Sequence, residues 1–268
     1  MATRCSSIEP DAGPGGPGEG PWVIINMAMT ADGKVATAGR EVTTFGSPAD
    51  QRALYALRAT ADAILCGART VEETGATLGT GDPAFARSRR RAGRSSAALR
   101  VVVSGSASLS SDAALWSHPG APIVVLTSGK ALDREHERLR SLGAQVWQSP
   151  GDRIDFPQAL AWLGREFGVR RLVVEGGGQL NAALLAADQV DELRVTWVPR
   201  IFGGQASPTL ADGPLAYTLA DAVKFRCVRM RSVGEERFLR FLRDRWQGAS
   251  LPDRGVISLP DESTPPPA

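Results

Sequence analysis

The stretch Arg170-Arg-Leu-Val-Val-Glu-Gly-Gly-Gly-Gln-Leu-Asn-Ala-Ala-Leu-Leu-Ala-Ala-Asp188 decides how this chain folds. The short apolar run Leu172 to Val174 reads as a buried strand, and Glu175 ends it. Gly176, Gly177 and Gly178 then lead into a helix rich in alanine and leucine. Three consecutive glycines turn sharply and carry no side chain to block a ligand. The helix behind them offers unpaired N–H groups and a partial positive charge. Strand, glycine turn and helix start together make a place for a phosphate. The plain alternative is a tight strand-to-helix turn with no ligand.

Outward from this stretch, short apolar runs alternate with helical patterns. Trp22 to Met29, Ala63 to Gly67, Leu99 to Val103, Pro122 to Thr127, Ala144 to Trp147 and Glu192 to Val198 read as strands. Ala49 to Ala61 has helical spacing through Leu54, Leu57 and Ala61. Asp133 to Leu142 is a charged helix stopped by Gly143, and Phe156 to Phe167 is a helix with Pro157 in its first turn. Phe225 to Ser232 and Arg237 to Leu242, joined by Val-Gly-Glu-Glu, read as a closing hairpin. Strand–helix alternation predicts an α/β domain whose central sheet is mostly parallel, with an antiparallel C-terminal hairpin at its edge. Arg87 to Arg100 carries six arginines and reads as an exposed, solvated insertion, or as a phosphate contact.

Composition bounds the rest. A chain of 268 residues that is 43% hydrophobic has material for a sizeable core. A net charge of +2 gives no global pull toward nucleic acid. No run approaches the ~20 apolar residues of a membrane span, and Met1 to Gly20 lacks a signal-peptide core. Residues 1–20 and 247–268, rich in Gly, Pro and polar residues, are expected to be disordered tails around one domain of residues 21–246. Cys5, Cys66 and Cys227 are odd in number and far apart, which predicts a reduced, cytoplasmic protein. Cys66 reads as a small core residue. His118 and His136 lack partners at ligand spacing, so no metal site is expected and both are placed at the surface.

Several strand ends are tipped with small or polar residues. Asn26, Thr30, Asp32 and Lys34 crowd the first, where Asp32-Gly33 also signals a turn between two strands. Gly67 closes the second, with Thr70 near a helix start. Ser104 follows Val101-Val-Val, and Val124-Val-Leu-Thr-Ser-Gly129 repeats the pattern. In open α/β sheets ligands bind at strand ends, so these positions together suggest a nucleotide across the sheet edge. A Gly-x-Ser-x-Gly elbow and a Walker lysine motif are missing from the chain, and none of the strand-to-helix turns carries the strict Gly-x-Gly-x-x-Gly fingerprint.

Taken in order, these segments resemble the riboflavin-pathway pyrimidine reductases, over roughly residues 21–243. The matching pieces are Asn26-Met-Ala-Met-Thr-Ala-Asp-Gly-Lys-Val-Ala-Thr37, Leu57-Arg-Ala-Thr-Ala-Asp-Ala-Ile-Leu-Cys-Gly-Ala-Arg-Thr-Val71, Val101-Val-Val-Ser104, Glu175-Gly-Gly-Gly-Gln-Leu-Asn181 and Val190-Asp-Glu-Leu193. Pro199 to Gly213 matches the family's late loop. The resemblance implies a dihydrofolate-reductase-like fold with helices on both faces of the sheet, NADPH as hydride donor, and a homodimer. The implied reaction reduces a ribosylamino-pyrimidine 5′-phosphate to its ribitylamino form.

By the same resemblance, Gly176, Gly177 and Gly178 would receive the cofactor pyrophosphate, and Gly67, Thr70 and Ser104 would line its groove. Asn26 and Thr30 would face the substrate. Asp32, Lys34 and Glu175 are the catalytic candidates; Asp32 is either a proton donor or a turn former. Arg69, Arg87 and Arg89 to Arg91 are the candidates for reading the cofactor 2′-phosphate. Two departures stand out. Bacterial bifunctional members often carry lysine at the position of Asn26. The family's Asp-Asp-Pro-x-Leu-Thr segment is displaced or lost at Glu72 to Pro83. No zinc-ligand set of a deaminase occurs in the chain, so reduction alone is expected. The competing readings are a reductase of the same fold acting on another small heterocycle, such as a pterin, and a nucleotide-binding protein without catalysis.

Overall fold

In a computed structural model, residues 20–40, 45–118, 120–216 and 218–244 are described; both expected tails, apart from Gly20, lie outside them. The strand read from Leu172 to Val174 extends one residue further back, as β6 (Arg171–Val174), and all four residues are buried. A strand buried on both faces needs no alternation, which is why its sequence is a plain apolar run. Around it stand β1 (Trp22–Thr30), β2 (Ala63–Gly67), β3 (Leu99–Val103), β4 (Ile123–Thr127), β5 (Ala144–Gln148), β7 (Glu192–Val198), β8 (Phe225–Val233) and β9 (Glu236–Arg243). They form one sheet in the order β5-β4-β3-β2-β6-β1-β7-β9-β8. Every pairing from β5 to β7 is parallel, and β9 and β8 add the antiparallel hairpin.

The helices are α1 (Pro48–Thr60), α2 (Ala68–Thr74), α3 (Pro83–Arg91), α4 (Ala114–Ser117), α5 (Asp133–Ser141), α6 (Phe156–Phe167) and α7 (Gly178–Ala186), with a 3₁₀ turn at Leu219–Asp221. Their ends follow local chemistry. Ser47 caps α1 by accepting from the N–H groups of Ala49 and Asp50, with Pro48 at the first position. Asp155 caps α6, and Gly168, at φ +65, closes it with its N–H on the carbonyl of Leu163. Helices cover both faces of the sheet. Leu160 and Leu163 of α6 and Leu180 and Leu184 of α7 pack on Val23, Ile25, Leu65 and Val174. On the other face Leu57 of α1 meets Ile24 and Val173, while Val71, Leu115 and Leu139 pack on Ile64, Val102 and Val125.

Three expectations are corrected. The turn at Asp32-Gly33 does not join two strands: β7 already occupies that edge of β1, so the chain leaves it and makes only an isolated bridge, Lys34 to Thr209. The arginine-rich stretch is only partly a solvated insertion: Arg87, Arg90 and Arg91 are exposed, but the segment begins as a helix and two of its arginines are buried. Asp82 accepts from the N–H of Ala84, Pro83 follows, and α3 forms. Its Arg89 is 2% exposed and donates to the carbonyls of Arg58, Ala59, Ala61 and Ser95. Arg100 is also buried, on the carbonyls of Leu115, His118 and Ala121. His136 is not at the surface; it lies on the buried face of α5, its Nε2 3.0 Å from the hydroxyl of Thr127. His118 is exposed, as expected.

Candidate active site

The carboxyl ends of β3, β2, β6 and β1 lie side by side, and the expected residues come from these ends: Ser104 after β3, Gly67 at the end of β2, Glu175 to Gly178 after β6, Thr30 closing β1. The glycine turn is stitched to its neighbour strand. The N–H of Glu175 donates to the carbonyl of Leu65, and the N–H of Gly67 donates to the carbonyl of Gly176. The hydroxyl of Thr70 accepts the N–H of Gly177 at 3.2 Å. Glycine is required at 176: φ is +95, and a Cβ would stand 2.9 Å from the sulfur of Met27. Gly178 is required for a different reason, since a Cβ there would meet the carbonyl oxygen of Thr209 at 2.6 Å as well as the carboxylate of Asp212. The chain's own late loop, not open space, lies beside it. No side-chain hydrogen bond caps α7 at its N-cap, Gly177.

Glu175 is held by a residue the sequence reading missed. Arg58, from the last turn of α1, donates through Nε and Nη2 to the two carboxylate oxygens at 2.6 and 2.5 Å, and through Nη1 to the carbonyl of Gly79. Both side chains are about 10% exposed. Burial pulls the guanidinium down, but the charge of Glu175 outweighs it and Arg58 ends above its ordinary range. Each carboxylate oxygen keeps a second lone pair for another donor. Cys66 lies nearby on β2; burial, with the charge of Glu175 adding to it, pushes its thiol up to about 12. The pair is separated by 117 residues, and no local pattern announces it.

The register carries Asn26 to the same neighbourhood. Ile25 pairs with Val174, so Asn26 and Glu175 are the next residues on adjacent strands, on the face that α1 covers. Thr30, Asp32 and Lys34 form a separate cluster. The hydroxyl of Thr30 donates to Asp32 at 2.5 Å and accepts the N–H of Lys34. Asp32 also accepts the N–H groups of Phe202 and Gly203. The Thr30 hydroxyl holds the Asp32 carboxyl below its usual range; burial opposes it, and the amides of Gly203 and Phe202 add to the lowering. That favours the ionised, loop-tying form over a proton donor. Lys34 reaches the carbonyl of Ser207 at 3.4 Å. Ser104 is buried one strand beyond Gly67. Of the arginines expected to read a phosphate, Arg89 is spent inside the protein, whereas Arg69 is exposed two residues after Gly67.

Fold and site define a mixed α/β protein whose polar groups and glycine turn share the carboxyl edge of a parallel sheet. The chain belongs to the RibD C-terminal domain family, whose model matches residues 21–239. It is 34% identical over 221 residues to the 2,5-diamino-6-ribosylamino-4(3H)-pyrimidinone 5′-phosphate reductase of Methanothermobacter thermautotrophicus, covering 82% of this chain and 97% of that one. The protein of the same name from Archaeoglobus fulgidus is 32% identical over 193 residues, 72% of this chain and 87% of that one. Among solved structures, the RibD of Acinetobacter baumannii superposes with a TM-score of 0.68 at 18% identity, over 84% of this chain and 58% of that one. The riboflavin biosynthesis reductase Rib7 of Saccharomyces cerevisiae gives 0.61 at 16%, over 84% and 90%. These two likenesses support the fold.

Proposed function

We propose that this chain reduces a ribosylamino-pyrimidine 5′-phosphate to its ribitylamino form with NADPH, as a cytoplasmic homodimer. The observation that carries the reading is the placing of Glu175 and Asn26 beside the glycine turn, in a chain 34% identical to a protein named for that substrate. NADPH, when bound, supplies a hydride. The residues fit such a group. Gly176 and Gly177 let the turn pack tightly on Met27 and Thr70, and α7, which has no side-chain cap, offers N–H groups to its pyrophosphate. Gly67, Thr70 and Ser104 line the same edge, and Arg69, exposed like Arg87, Arg90 and Arg91 but two residues after Gly67, is the guanidinium offered to a 2′-phosphate.

Toward the substrate, Glu175 orients the sugar or its amine through the lone pairs that Arg58 leaves, and Asn26 offers amide donors and an acceptor one strand away. Arg58 keeps the Glu175 carboxylate in one geometry. Thr30, Asp32 and Lys34 hold the late loop against the strand end. Asp32 acts there as an ionised anchor. The decisive assay follows loss of the reduced-nicotinamide absorbance with the deaminated and the non-deaminated pyrimidine phosphates side by side. Turnover of either establishes the reaction and the branch it serves. Silence with both, in a protein that binds NADPH, overturns the substrate and leaves a reductase of another heterocycle or a non-catalytic binder. A solution mass equal to one chain overturns the homodimer.

A further inference from the structure

Arg58 holds Glu175 in place and is itself held by a third side chain. Tyr55 stands three positions earlier on α1, so the two lie on the same side of that helix. The guanidinium carbon of Arg58 lies over the Tyr55 ring, 5.5 Å from its centre. The three nitrogens of Arg58 are spent in the plane of the group, Nε and Nη2 on Glu175 and Nη1 on the carbonyl of Gly79. Hydrogen bonds in that plane fix how the fork turns within it. They resist tilting out of it less, and a ring against the face supplies that resistance.

The same ring seats the segment that carries the Gly79 carbonyl. This segment runs from Gly75, the left-handed residue that ends α2, to Asp82, which caps α3. Within it Leu78 is a non-glycine residue at φ +54, 1% exposed among Ile64, Cys66 and Val102. Its burial holds an unfavourable backbone conformation in place. Gly79 is enclosed, since a Cβ there would stand 2.8 Å from Nε2 of His118. Gly81, at φ +72, comes so close to Tyr55 that a Cβ would run into the ring. Phe85 of α3 packs on Tyr55 as well, with ring centres 6.3 Å apart. Tyr55 therefore touches the guanidinium, the segment whose carbonyl binds that guanidinium, and the helix that follows the segment.

We propose that Tyr55 is a positioning residue: acting through Arg58, its ring sets the plane in which the Glu175 carboxylate is presented to the substrate. The inference rests on the role given to Glu175 above, so one arm of its test needs no turnover. That arm is hydrogen exchange at the Arg58 Nε–H, followed by NMR in the full chain and assigned by its absence in Arg58→Lys. The wild type is expected to exchange slowly. Tyr55→Leu should exchange at least roughly fivefold faster, through the loss of one desolvated ring contact. In the activity arm Tyr55→Leu should lower kcat by roughly tenfold or more, because the carboxylate is no longer held in register. NADPH affinity should stay within about twofold. Tyr55→Phe keeps the ring and should restore both exchange protection and turnover. Gly81→Ala drives a methyl group toward the ring and should speed Arg58 exchange as Tyr55→Leu does.

Fast exchange in the wild type, or equal exchange in the wild type and Tyr55→Leu, overturns the proposal. So does a Tyr55→Phe variant as damaged as Tyr55→Leu, which would make the hydroxyl and not the ring the cause. Unchanged exchange in Gly81→Ala overturns the seating of the segment by the ring. The failures of the two readings are distinct. Ring-dependent exchange without turnover of either pyrimidine phosphate overturns the reaction and supports Tyr55 as the holder of Arg58. Turnover with a kcat indifferent to Tyr55→Leu overturns the positioning role and leaves the reaction standing.

Discussion

Arg58 matters most at the scale of single residues, because it fixes the candidate catalytic carboxylate from the far side of the sequence. Its fork meets both oxygens of Glu175, with both groups nearly withdrawn from water. Removing one partner of a buried pair strands the other charge. Arg58→Met is therefore expected to cost about 3–5 kcal/mol of stability, read from urea unfolding, and to lower turnover as well. Arg58→Lys keeps the charge without the fork and should restore only part of both. Glu175→Gln should lower turnover while NADPH affinity stays nearly intact. An equal fall of both would place Glu175 in the cofactor site and remove its role toward the substrate.

Elements are joined by arginines that a sequence reading takes for surface charge. Arg89 of α3 gathers the carbonyls of Arg58, Ala59 and Ala61 at the end of α1, where the helix's own N–H groups run out. Arg89→Ala should destabilise the protein by about 2–3 kcal/mol, since several buried carbonyls lose one donor, and leave NADPH affinity unaffected; weakened NADPH binding alone would return Arg89 to the cofactor. Glu192 joins β1, β7 and β9 through Trp22, Arg194 and Arg240, and is fully buried. Burial pushes its carboxyl up, but Arg194 and Arg240 outweigh it and hold it at about 2.

A folded-state value below the unfolded one stabilises the fold above the unfolded pKa. That stability is lost as pH falls through the folded one. The window is about pH 4.5 down to 2, and the contribution at neutral pH is on the order of 3 kcal/mol. Glu192→Gln should remove it and flatten the acid limb of stability against pH. An unaltered limb would show that other carboxylates govern acid unfolding.

Across the whole molecule, the order β2-β6-β1 brings the late glycine turn between two strands laid down early. That insertion sets Glu175 and Gly176 beside Gly67 and Asn26. A ligand at this junction ties together segments distant in sequence, so it should stabilise the native state as a unit. NADPH at about one hundred times its Kd should add about 2.7 kcal/mol, visible as a raised thermal midpoint. NADH at the same concentration should protect less, because it lacks the phosphate that Arg69 is proposed to read. Equal protection by both would remove that role.

What the sequence determined by itself is local. The apolar run at Leu172 to Val174, the three glycines after it, the proline at the start of α6 and the turn between β8 and β9 act over a few residues, and chain stiffness and hydrogen-bond geometry suffice to read them. The alternation of strands and helices, read the same way, yields the parallel sheet with its antiparallel edge. Tertiary structure alone decided which distant groups meet. Arg58 faces Glu175, His136 points inward from α5 to Thr127, Arg89 turns inward, and four arginines from three strands line one cleft. Each depends on strand order and register, and these follow from how the helices bury their apolar faces on the whole sheet. No local run of residues carries that sum, so a charge of the same appearance in sequence became a site partner at 58, a helix cap at 89 and an exposed cation at 69.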